Sequence, residues 1–521
     1  MNSEIDASIE IPPKERKLTS AWHIGSYAIG NMMSAAADIN GIYYMNFLMF
    51  AMKLSPILAG VVTSASRVWD GVTDPLMGLI VDRTRTRFGA SRPWLLACIL
   101  PIWLGYFMLW YCFGIEGQGA RFLYFLLAYM FFSTASTIGI VPYEALLPRM
   151  VRDYKKRENY TSARSFLEGV SGAFSVYIYE LLIPVKTAAD YPGLTKNFMW
   201  LGFVLGGMFA ISPLITFFGA KETPQPAAAR RISIKGLLHE YKDLLRSRLY
   251  RRCLFLSLFG MFVAHVQTES SIIFLLMLFG NRHYNVFSIS LSLIFLSINF
   301  EGASNVLSFI LNVFLMKKKS KKHAMLVDFP LEIAAAVIFL FITPGTPIWV
   351  YFVGLFLTGL GASCLAFIPR TMIPELPDVD ELIFGRRREG AAAGLLSLGK
   401  KVVQGAAALS FGTVLSIFGL DAETASPDKT TFASLFAVKF MLCIIPIVGC
   451  IILFFATRKY NLDAQRHNMI QAKIKQKRAS GMATCAPEEI AVCEDVTGLS
   501  FDELWISKAL TEEEISQSVI I

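Results

Sequence analysis

Twelve apolar segments constrain the fold of this chain more than any other feature of its sequence. A bilayer core takes about 20 residues of α-helix, and each segment is long enough to supply them. Only 17% of the 521 residues are charged while 54% are hydrophobic, a balance typical of integral membrane proteins. The sequence predicts an all-α membrane protein with twelve transmembrane helices, at about residues 21–50, 55–81, 94–114, 122–147, 162–185, 197–219, 253–280, 285–316, 324–343, 348–373, 390–419 and 431–457.

Basic side chains are concentrated in alternate connections between these predicted spans. Three arginines follow the second span, and further Lys and Arg clusters occupy residues 149–157, 317–322 and 386–388. Cytoplasmic loops carry such an excess, so we expect both termini in the cytoplasm and a multi-pass protein of the plasma (inner) membrane. The same loops account for the net charge of +9, which therefore does not indicate a nucleic-acid partner.

The longest connection divides the spans into six and six. Its segment "ISIKGLLHEYKDLLRSRLYRR" places leucines on one face and basic residues on the rest, which predicts an amphipathic helix on the inner membrane surface. Two segments, "VPYEALLPRMVRDYKKRENYTSARSFLEG" and "IPRTMIPELPDVDELIFGRRREGAAAG", echo each other in the two halves. Two pseudo-symmetric six-helix bundles are typical of transporters that rock around a central site. The predicted divisions are a cytoplasmic N-terminal segment (1–20), two bundles (21–219 and 253–457), an amphipathic linker (220–252) and a cytoplasmic tail (458–521).

The tail is polar, and its low apolar content predicts a mostly disordered segment with one or two short helices. Two patterns in it, "SFDE" at 500–503 and "TEEE" at 511–514, are typical of helix N-termini with a capping box.

Two carboxylates and a guanidinium lie inside the second predicted span. Arg67, Asp70 and Asp74 are spaced i, i+3, i+7 and share one helix face, with Thr73 beside it. A lone charge in hydrocarbon costs several kcal/mol, so these groups should face a cavity, a partner or an ion. Carboxylate and hydroxyl oxygens are hard ligands that suit Na⁺, and carboxylates also take protons. The alternative is an Arg–Asp pair that only ties helices together.

Other polar groups within the spans are less specific. Asp38, Glu144, Arg164 and Lys401 either line the transport path or form hydrogen bonds between helices. Three residues at the end of the second span, Gly78, Asp82 and Arg83, predict a gating latch between helices, although a plain basic loop explains them equally well.

Catalytic and metal-binding motifs are missing from the sequence. HExxH, GxSxG and CxxC patterns are absent, and the eight Cys and six His are dispersed. We therefore predict a protein that is not an enzyme and that holds no cofactor other than a coupling ion.

Three motifs carry a family resemblance. The segments "RVWDGVTDPLMGLIVDRTRTRFGASRPW", "PYEALLP" and "DVDELIFGRRREG" occur in the order and spacing of the glycoside–pentoside–hexuronide:cation symporter signatures. The chain resembles that family, the melibiose-permease-like branch of the major facilitator superfamily, over about residues 20–410. The resemblance implies the major facilitator fold with alternating access and symport coupled to Na⁺, Li⁺ or H⁺.

The resemblance also implies roles for individual residues. Asp70 and Asp74 would bind the cation, Na⁺ in preference to H⁺, with further oxygen ligands from Thr73 and Thr137. Arg67 would modulate that site. The predicted substrate-binding set is Asp38, Arg67, Glu144, Arg164 and Lys401, of which Lys401 would also link the two halves.

The chain differs from the family that it resembles at positions expected to contact the solute. Ile140 stands where melibiose-type members have a sugar-binding Asp, and Glu144 replaces an aromatic residue one turn later. The cation residues are kept while the solute wall is changed. We expect a monomeric symporter of a glycoside, sugar or related polar organic solute. The alternative cargo is a lysophospholipid or other amphiphile, and a membrane-embedded lipid-modifying enzyme is a remote alternative.

Overall fold

The computed structural model describes residues 21–151, 154–185, 187–222, 234–286, 289–386, 388–420 and 430–508. The N-terminal segment predicted at 1–20 lies outside these residues. Each predicted span falls largely on helix, and within the described residues seven helices are long and apolar enough to cross a membrane. The expected all-helical class is confirmed, apart from one short β-hairpin.

The helices of the first part of the chain follow the predicted spans closely. Two short π-helical segments, Asn40–Tyr44 and Phe47–Ala51, continue the first span beyond α2, and a 3₁₀ turn, Ala188–Leu194, precedes α8. The α-helices are α1 (Ala21–Gly30), α2 (Met32–Ile39), α3 (Pro56–Arg83), α4 (Arg92–Ala97), α5 (Ile99–Trp110), α6 (Gln118–Met150), α7 (Tyr154–Leu182) and α8 (Thr195–Gly219).

The second part of the chain contains the hairpin and the remaining helices. Antiparallel strands β1 (His283–Val286) and β2 (Ile289–Ser292) pair between two of the helices. The helices are α9 (Ile234–Leu244), α10 (Arg248–Leu278), α11 (Leu293–Lys318), α12 (Lys321–Phe341), α13 (Ile348–Gly361), α14 (Phe367–Met372), α15 (Leu376–Phe384), α16 (Glu389–Ile417), α17 (Phe432–Lys439), α18 (Ile445–Arg458), α19 (Ala464–Ser480) and α20 (Pro487–Thr497).

The chain forms two compact units. Unit 1 comprises the described parts of residues 1–229, 275–295 and 408–434, and unit 2 comprises those of 230–274, 296–407 and 435–521. The division of the spans at 219 and 253 stays a prediction.

Helix α3 shows why its charged residues do not face lipid. The helix starts with Pro56 at its first position, where a missing N–H costs nothing. Its exposed apolar side chains, Val68, Val72, Leu76 and Leu79, recur every three or four residues and form one stripe. Asp70 and Asp74 lie off this stripe and are only partly exposed. The apolar stripe is therefore the face suited to lipid.

Two element boundaries in the structure differ from those expected from the sequence. The eighth span was expected to begin at 285, but the hairpin occupies that stretch and the helix begins at Leu293. The amphipathic linker was expected to extend to 252, but α9 ends at Leu244 and α10 begins at Arg248. Leu244 is 2% exposed and Tyr241 packs against the core of unit 2, so part of the apolar face of α9 contacts protein.

The tail is more ordered than its composition predicted. Helices α19 and α20 bury Ile470, Ile474 and Val496 in the core of unit 2. The Nε2 atoms of His467 and Gln471 lie 2.8 and 2.9 Å from Oδ2 of Asp378, at the start of α15. A few apolar side chains are enough to order the tail, because they pack against the core of unit 2 and do not have to form a core of their own. The capping pattern at 500–503 starts a 3₁₀ turn as expected, and that at 511–514 lies outside the described residues.

A glycine allows the tail to pack closely. Gly385 ends α15 with a φ of 73°, a left-handed conformation that glycine adopts without strain. A Cβ at this position would lie 2.6 Å from the Trp505 ring, so a larger residue would displace the tail.

A buried carboxyl on α12 gives the first testable expectation. Glu332 is 0% exposed, its Oε1 accepts a hydrogen bond from Nε2 of Gln267 at 2.7 Å, and its Oε2 has no described partner. A charge there would be buried without compensation, which costs several kcal/mol. We therefore expect Glu332→Gln to leave the melting temperature within about 2 °C of wild type, whereas Glu332→Ala lowers it by creating a cavity. Thermal denaturation in detergent checks both, and a large loss in the Gln variant would contradict this account.

Candidate cation site between two parallel helices

The predicted cation residues lie along the contact between α3 and α6 in unit 1. Oγ1 of Thr137 donates to Oδ1 of Asp74 at 2.7 Å, and Oγ of Ser133 donates to Oδ1 of Asp70. The partners in both pairs are 63 residues apart in sequence. A constant offset means that the two helices run parallel, so each carboxylate meets a hydroxyl at the same height.

Further hydroxyl groups complete this contact. Oγ1 of Thr73 lies 3.4 Å from Oγ1 of Thr137, and Nε1 of Trp69 donates to Oγ1 of Thr134 at 2.9 Å. The hydroxyls of Thr73 and Thr137 therefore lie between the two helices together with the carboxylates. The structure brings together all four residues predicted to bind the cation.

The chemistry of this donor set fits an alkali cation. Ser133 and Thr137 are 4% and 5% exposed, so one side of the site is sealed by protein. Every donor is a carboxylate or hydroxyl oxygen, the type preferred by hard cations. Within the described part of the chain, no group of three or more His, Cys, Asp or Glu side chains is arranged to hold a metal ion.

Ser133 is the cation-site residue that sequence reasoning missed. It precedes Thr137 by four residues, just as Asp70 precedes Asp74. That spacing was a usable signal, because residues four apart lie on the same helix face. Arg67 was predicted to modulate this site. Its Nη2 atom lies 3.8 Å from the position of a Cβ built at Gly41, so its side chain reaches the π-helical segment after α2.

Two of the residues predicted to contact the solute lie within ion-pairing distance of each other. Nη2 of Arg164 on α7 lies 3.3 Å from Oε1 of Glu144 on α6, and its guanidinium lies 5.3 Å from the ring centre of Tyr143. This contact is an ion pair between helices, the alternative that the sequence left open. Asp38 lies on α2 with a side chain outside the description, and Lys401 lies on α16 in unit 2.

The predicted latch forms with a different cation. Asp82 pairs with Arg149 at 2.8 Å, and Arg149 also contacts Oγ of Ser91 at 2.9 Å and Oε1 of Glu222 at 3.4 Å. The backbone N–H of Ser91 donates to Oε2 of Glu222 at 2.9 Å. This cluster joins the ends of α3, α6 and α8 to the start of α4.

Two of the latch predictions therefore need correction. Arg83 is exposed and takes part in none of the described contacts of the cluster, in which Arg149 from the last turn of α6 supplies the cation. A Cβ built at Gly78 meets no described atom within 4 Å, so the close helix contact expected there is absent. The spacing of residues within one segment cannot reveal which residue distant in sequence supplies the cation, and so the sequence pointed to the neighbouring Arg83.

Comparison with known proteins identifies a family. A family model described as MFS/sugar transport protein matches residues 22–464. An uncharacterized symporter of Synechocystis is 24% identical and the match covers 85% of this chain and 95% of that protein. A putative glycoside/cation symporter of Escherichia coli, YagG, is 30% identical over 42% of this chain and 46% of its own length.

A third relative is named for a different cargo. The sodium-dependent lysophosphatidylcholine symporter 1-A of Danio rerio is 32% identical, but over only 31% of this chain and 30% of that protein. Among solved structures, a bacterial homolog of the human lysosomal transporter Spinster matches with a TM-score of 0.60 and 13% identity, covering 86% of this chain and 97% of that chain. Together with the family model, this structural match confirms the predicted major facilitator fold.

Proposed function

Since the chain belongs to the MFS/sugar transport protein family, we propose that Na⁺ bound at Asp70 and Asp74 drives the uptake of a sugar, glycoside or related polar organic solute. The oxygen set between α3 and α6 supports this proposal most directly: two carboxylates one helical turn apart, each accepting a hydroxyl hydrogen bond from the parallel helix. The coupling ion in this account is Na⁺, and Li⁺ and H⁺ are the other ions that the same carboxylates accept.

Family membership confirms the broader predictions. The chain is a multi-pass membrane transporter of the symporter class and not an enzyme, and it resembles the cation symporters as its motifs indicated. It therefore moves a small solute together with a cation.

The coupling mechanism follows from electrostatics. Two carboxylates a helical turn apart repel each other, and a bound cation removes that repulsion. The same carboxylates accept hydrogen bonds from α6. Binding of a cation to these carboxylates therefore affects how firmly α3 and α6 are held together. Na⁺ then stabilises the conformation that binds solute, and by linkage the solute raises the affinity for Na⁺ by the same factor. The loaded carrier changes access by rocking of its two halves.

The proposed solute contacts are the residues that the sequence predicted to bind substrate. Arg164 and Glu144 would exchange their mutual ion pair for contacts with solute hydroxyl or charged groups, together with Asp38, Arg67 and Lys401. A lysophospholipid or other amphiphile is the second candidate cargo, favoured by the similarity to the lysophosphatidylcholine symporter of Danio rerio.

The membrane setting is also a proposal. The distribution of basic loops supports the plasma (inner) membrane with both termini in the cytoplasm. We further propose that the transporter works as a monomer, because all the proposed cation ligands come from α3 and α6 of one chain.

A ligand screen tests cargo and coupling together. The purified protein is incubated with sugars, glycosides, uronic acids or lysophosphatidylcholine, each with Na⁺ or with choline as the cation, and its melting temperature is measured. We expect a sugar-type ligand whose stabilisation grows with Na⁺ concentration. Stabilisation by lysophosphatidylcholine alone selects the second cargo, and a ligand effect that is equal in Na⁺ and choline contradicts Na⁺ coupling.

Removing one hydroxyl gives a graded test of the site. Thr137→Val keeps the side-chain shape but loses the oxygen beside Asp74, so we expect about tenfold weaker activation by Na⁺. Thr134→Val is the matched control. The hydroxyl of Thr134 lies on the same helix as that of Thr137, but it accepts a hydrogen bond from Trp69 and is not one of the proposed cation ligands. The half-saturating Na⁺ concentration for uptake is the measurement. Equal shifts in the two variants would show that helix packing, and not cation binding, is affected.

A further inference from the structure

A cavity lies between α10 and α18 in unit 2, near the first turns of α10 and the last turns of α18. Its volume is about 600 Å³, within the usual range for small-molecule sites. Helix α10 begins and α18 ends beside it. Both helices belong to apolar segments long enough to cross a bilayer, so we expect their ends, and the cavity beside them, near the boundary between hydrocarbon and lipid headgroups.

Four cationic side chains line the cavity: Arg248, Arg251, Arg252 and Lys459. None of them forms an ion pair with a carboxylate among the described residues. The guanidinium groups of Arg251 and Arg252 donate to backbone carbonyl oxygens, including that of Lys459 at 2.6 Å. The carboxylate of Asp495 interacts electrostatically with Arg252, but it is already paired with Arg466 at 2.8 Å.

The position of the arginines makes their charge more costly. Arg248, Arg251 and Arg252 occupy the first two turns of α10, where the helix dipole is positive and disfavours cations. Three guanidinium groups so close together also repel one another. An anion bound among them relieves both effects.

The rest of the lining is apolar and open to lipid. Phe255, Ile451, Ile452 and Phe455 are 43%, 43%, 42% and 57% exposed, and they lie on the membrane side of the cationic rim. A ligand that satisfies this site therefore needs an anionic group attached to a hydrocarbon chain. Free inorganic phosphate would satisfy the rim alone.

We propose that this cavity binds an anionic phospholipid. Its phosphate lies among the four cations and one acyl chain lies against Phe255, Ile452 and Phe455. Basic pockets between transmembrane helices recognise anionic lipid headgroups in this way. The lipid is a bound partner and not the transported solute, so the proposal is independent of the Na⁺ site and of the cargo.

A double variant tests the charges. Arg248→Gln with Lys459→Gln removes two cations whose side-chain nitrogens make no described hydrogen bond, so the fold is preserved. We expect the full-length protein in detergent to bind phosphatidylglycerol roughly 10- to 30-fold more weakly, measured by native mass spectrometry over a lipid titration. Lys242→Gln with Arg246→Gln is the matched control, since it removes the same charge from exposed residues outside the cavity.

A second variant separates lipid from free phosphate. Ile452→Trp fills the apolar part and leaves the cations in place, so it should weaken phosphatidylglycerol binding while any stabilisation by inorganic phosphate is unchanged. Equal binding of phosphatidylglycerol and phosphatidylcholine by wild type, or equal loss in the double variant and its control, would overturn the proposal. Binding of inorganic phosphate as tight as that of the lipid would also overturn it.

Discussion

Asp74→Asn is expected to abolish Na⁺-driven accumulation of the solute while solute exchange across the membrane continues. The substitution keeps the size of the side chain and its acceptor for Thr137, but it removes one of the two negative charges that hold the cation. A charge a few ångströms from Na⁺ in a partly buried site contributes several kcal/mol. Accumulation should therefore fall at least about 100-fold at the Na⁺ concentration that half-saturates wild type.

Proteoliposomes with an inward Na⁺ gradient measure this effect. Exchange of external labelled solute for internal unlabelled solute is followed in the same preparation without a gradient. Glu116→Gln, an exposed loop carboxylate, controls for loss of charge away from the site. Full accumulation by the Asp74 variant would rule out this carboxylate as a cation ligand.

Arg388→Gln is expected to cause the largest loss of stability of any single substitution proposed here. Nη2 of Arg388 lies 2.5 Å from Oδ1 of Asp380, and its Nη1 lies 3.0 Å from Oδ2 of Asp243 on α9. The side chains of Arg388 and Asp380 are only 5% and 4% exposed. Removing the guanidinium leaves a buried carboxylate unpaired, which lowers the free energy of unfolding by about 3–5 kcal/mol.

The pairing of Arg388 holds over a wide pH range. Partial burial acts to lower the pKa of Arg388, but its hydrogen bonds and charge interactions with Asp380 and Asp243 outweigh burial and raise the pKa. The guanidinium is therefore charged wherever the protein is folded. For a chain of 521 residues, the loss of about 3–5 kcal/mol on removing the guanidinium corresponds to a fall of about 4 °C in melting temperature, which is expected for Arg388→Gln at neutral pH.

Its neighbour provides the control for that measurement. Arg386 is 51% exposed and lies 3.8 Å from the same oxygen of Asp243, so Arg386→Gln should change the melting temperature by less than about 2 °C. Equal destabilisation by the two variants would show that the buried pair with Asp380 contributes nothing beyond surface charge.

The sequence predicted the features that follow from helix periodicity. Apolar segments of about 20 residues identify spans, and the spacing of Asp70 and Asp74 places them on one face whatever surrounds the helix. The role of Thr137 came from the family resemblance. The pairing of Ser133 with Asp70 depends on the register between α3 and α6, which no pattern within one helix determines.

The misjudged elements have the same cause. Arg83 was expected to take part in the latch beside Asp82, but tertiary packing brings Arg149 to Asp82 from 67 residues away. The tail was expected to be mostly disordered, yet Ile470 and Ile474 are 0% and 5% exposed because unit 2 offers a surface for them. Composition describes what a segment can bury by itself and says little about what it buries against another part of the chain.

Direct measurement of Na⁺ binding tests the central claim most closely. Titration calorimetry of the purified transporter, compared with the Asp70→Asn/Asp74→Asn double variant, requires no knowledge of the solute. We predict one Na⁺ bound per wild-type chain, weakened as the pH falls because protons compete for the same carboxylates, and no binding by the double variant. Equal Na⁺ binding by the two proteins, or none by wild type, would contradict a coupling site between α3 and α6.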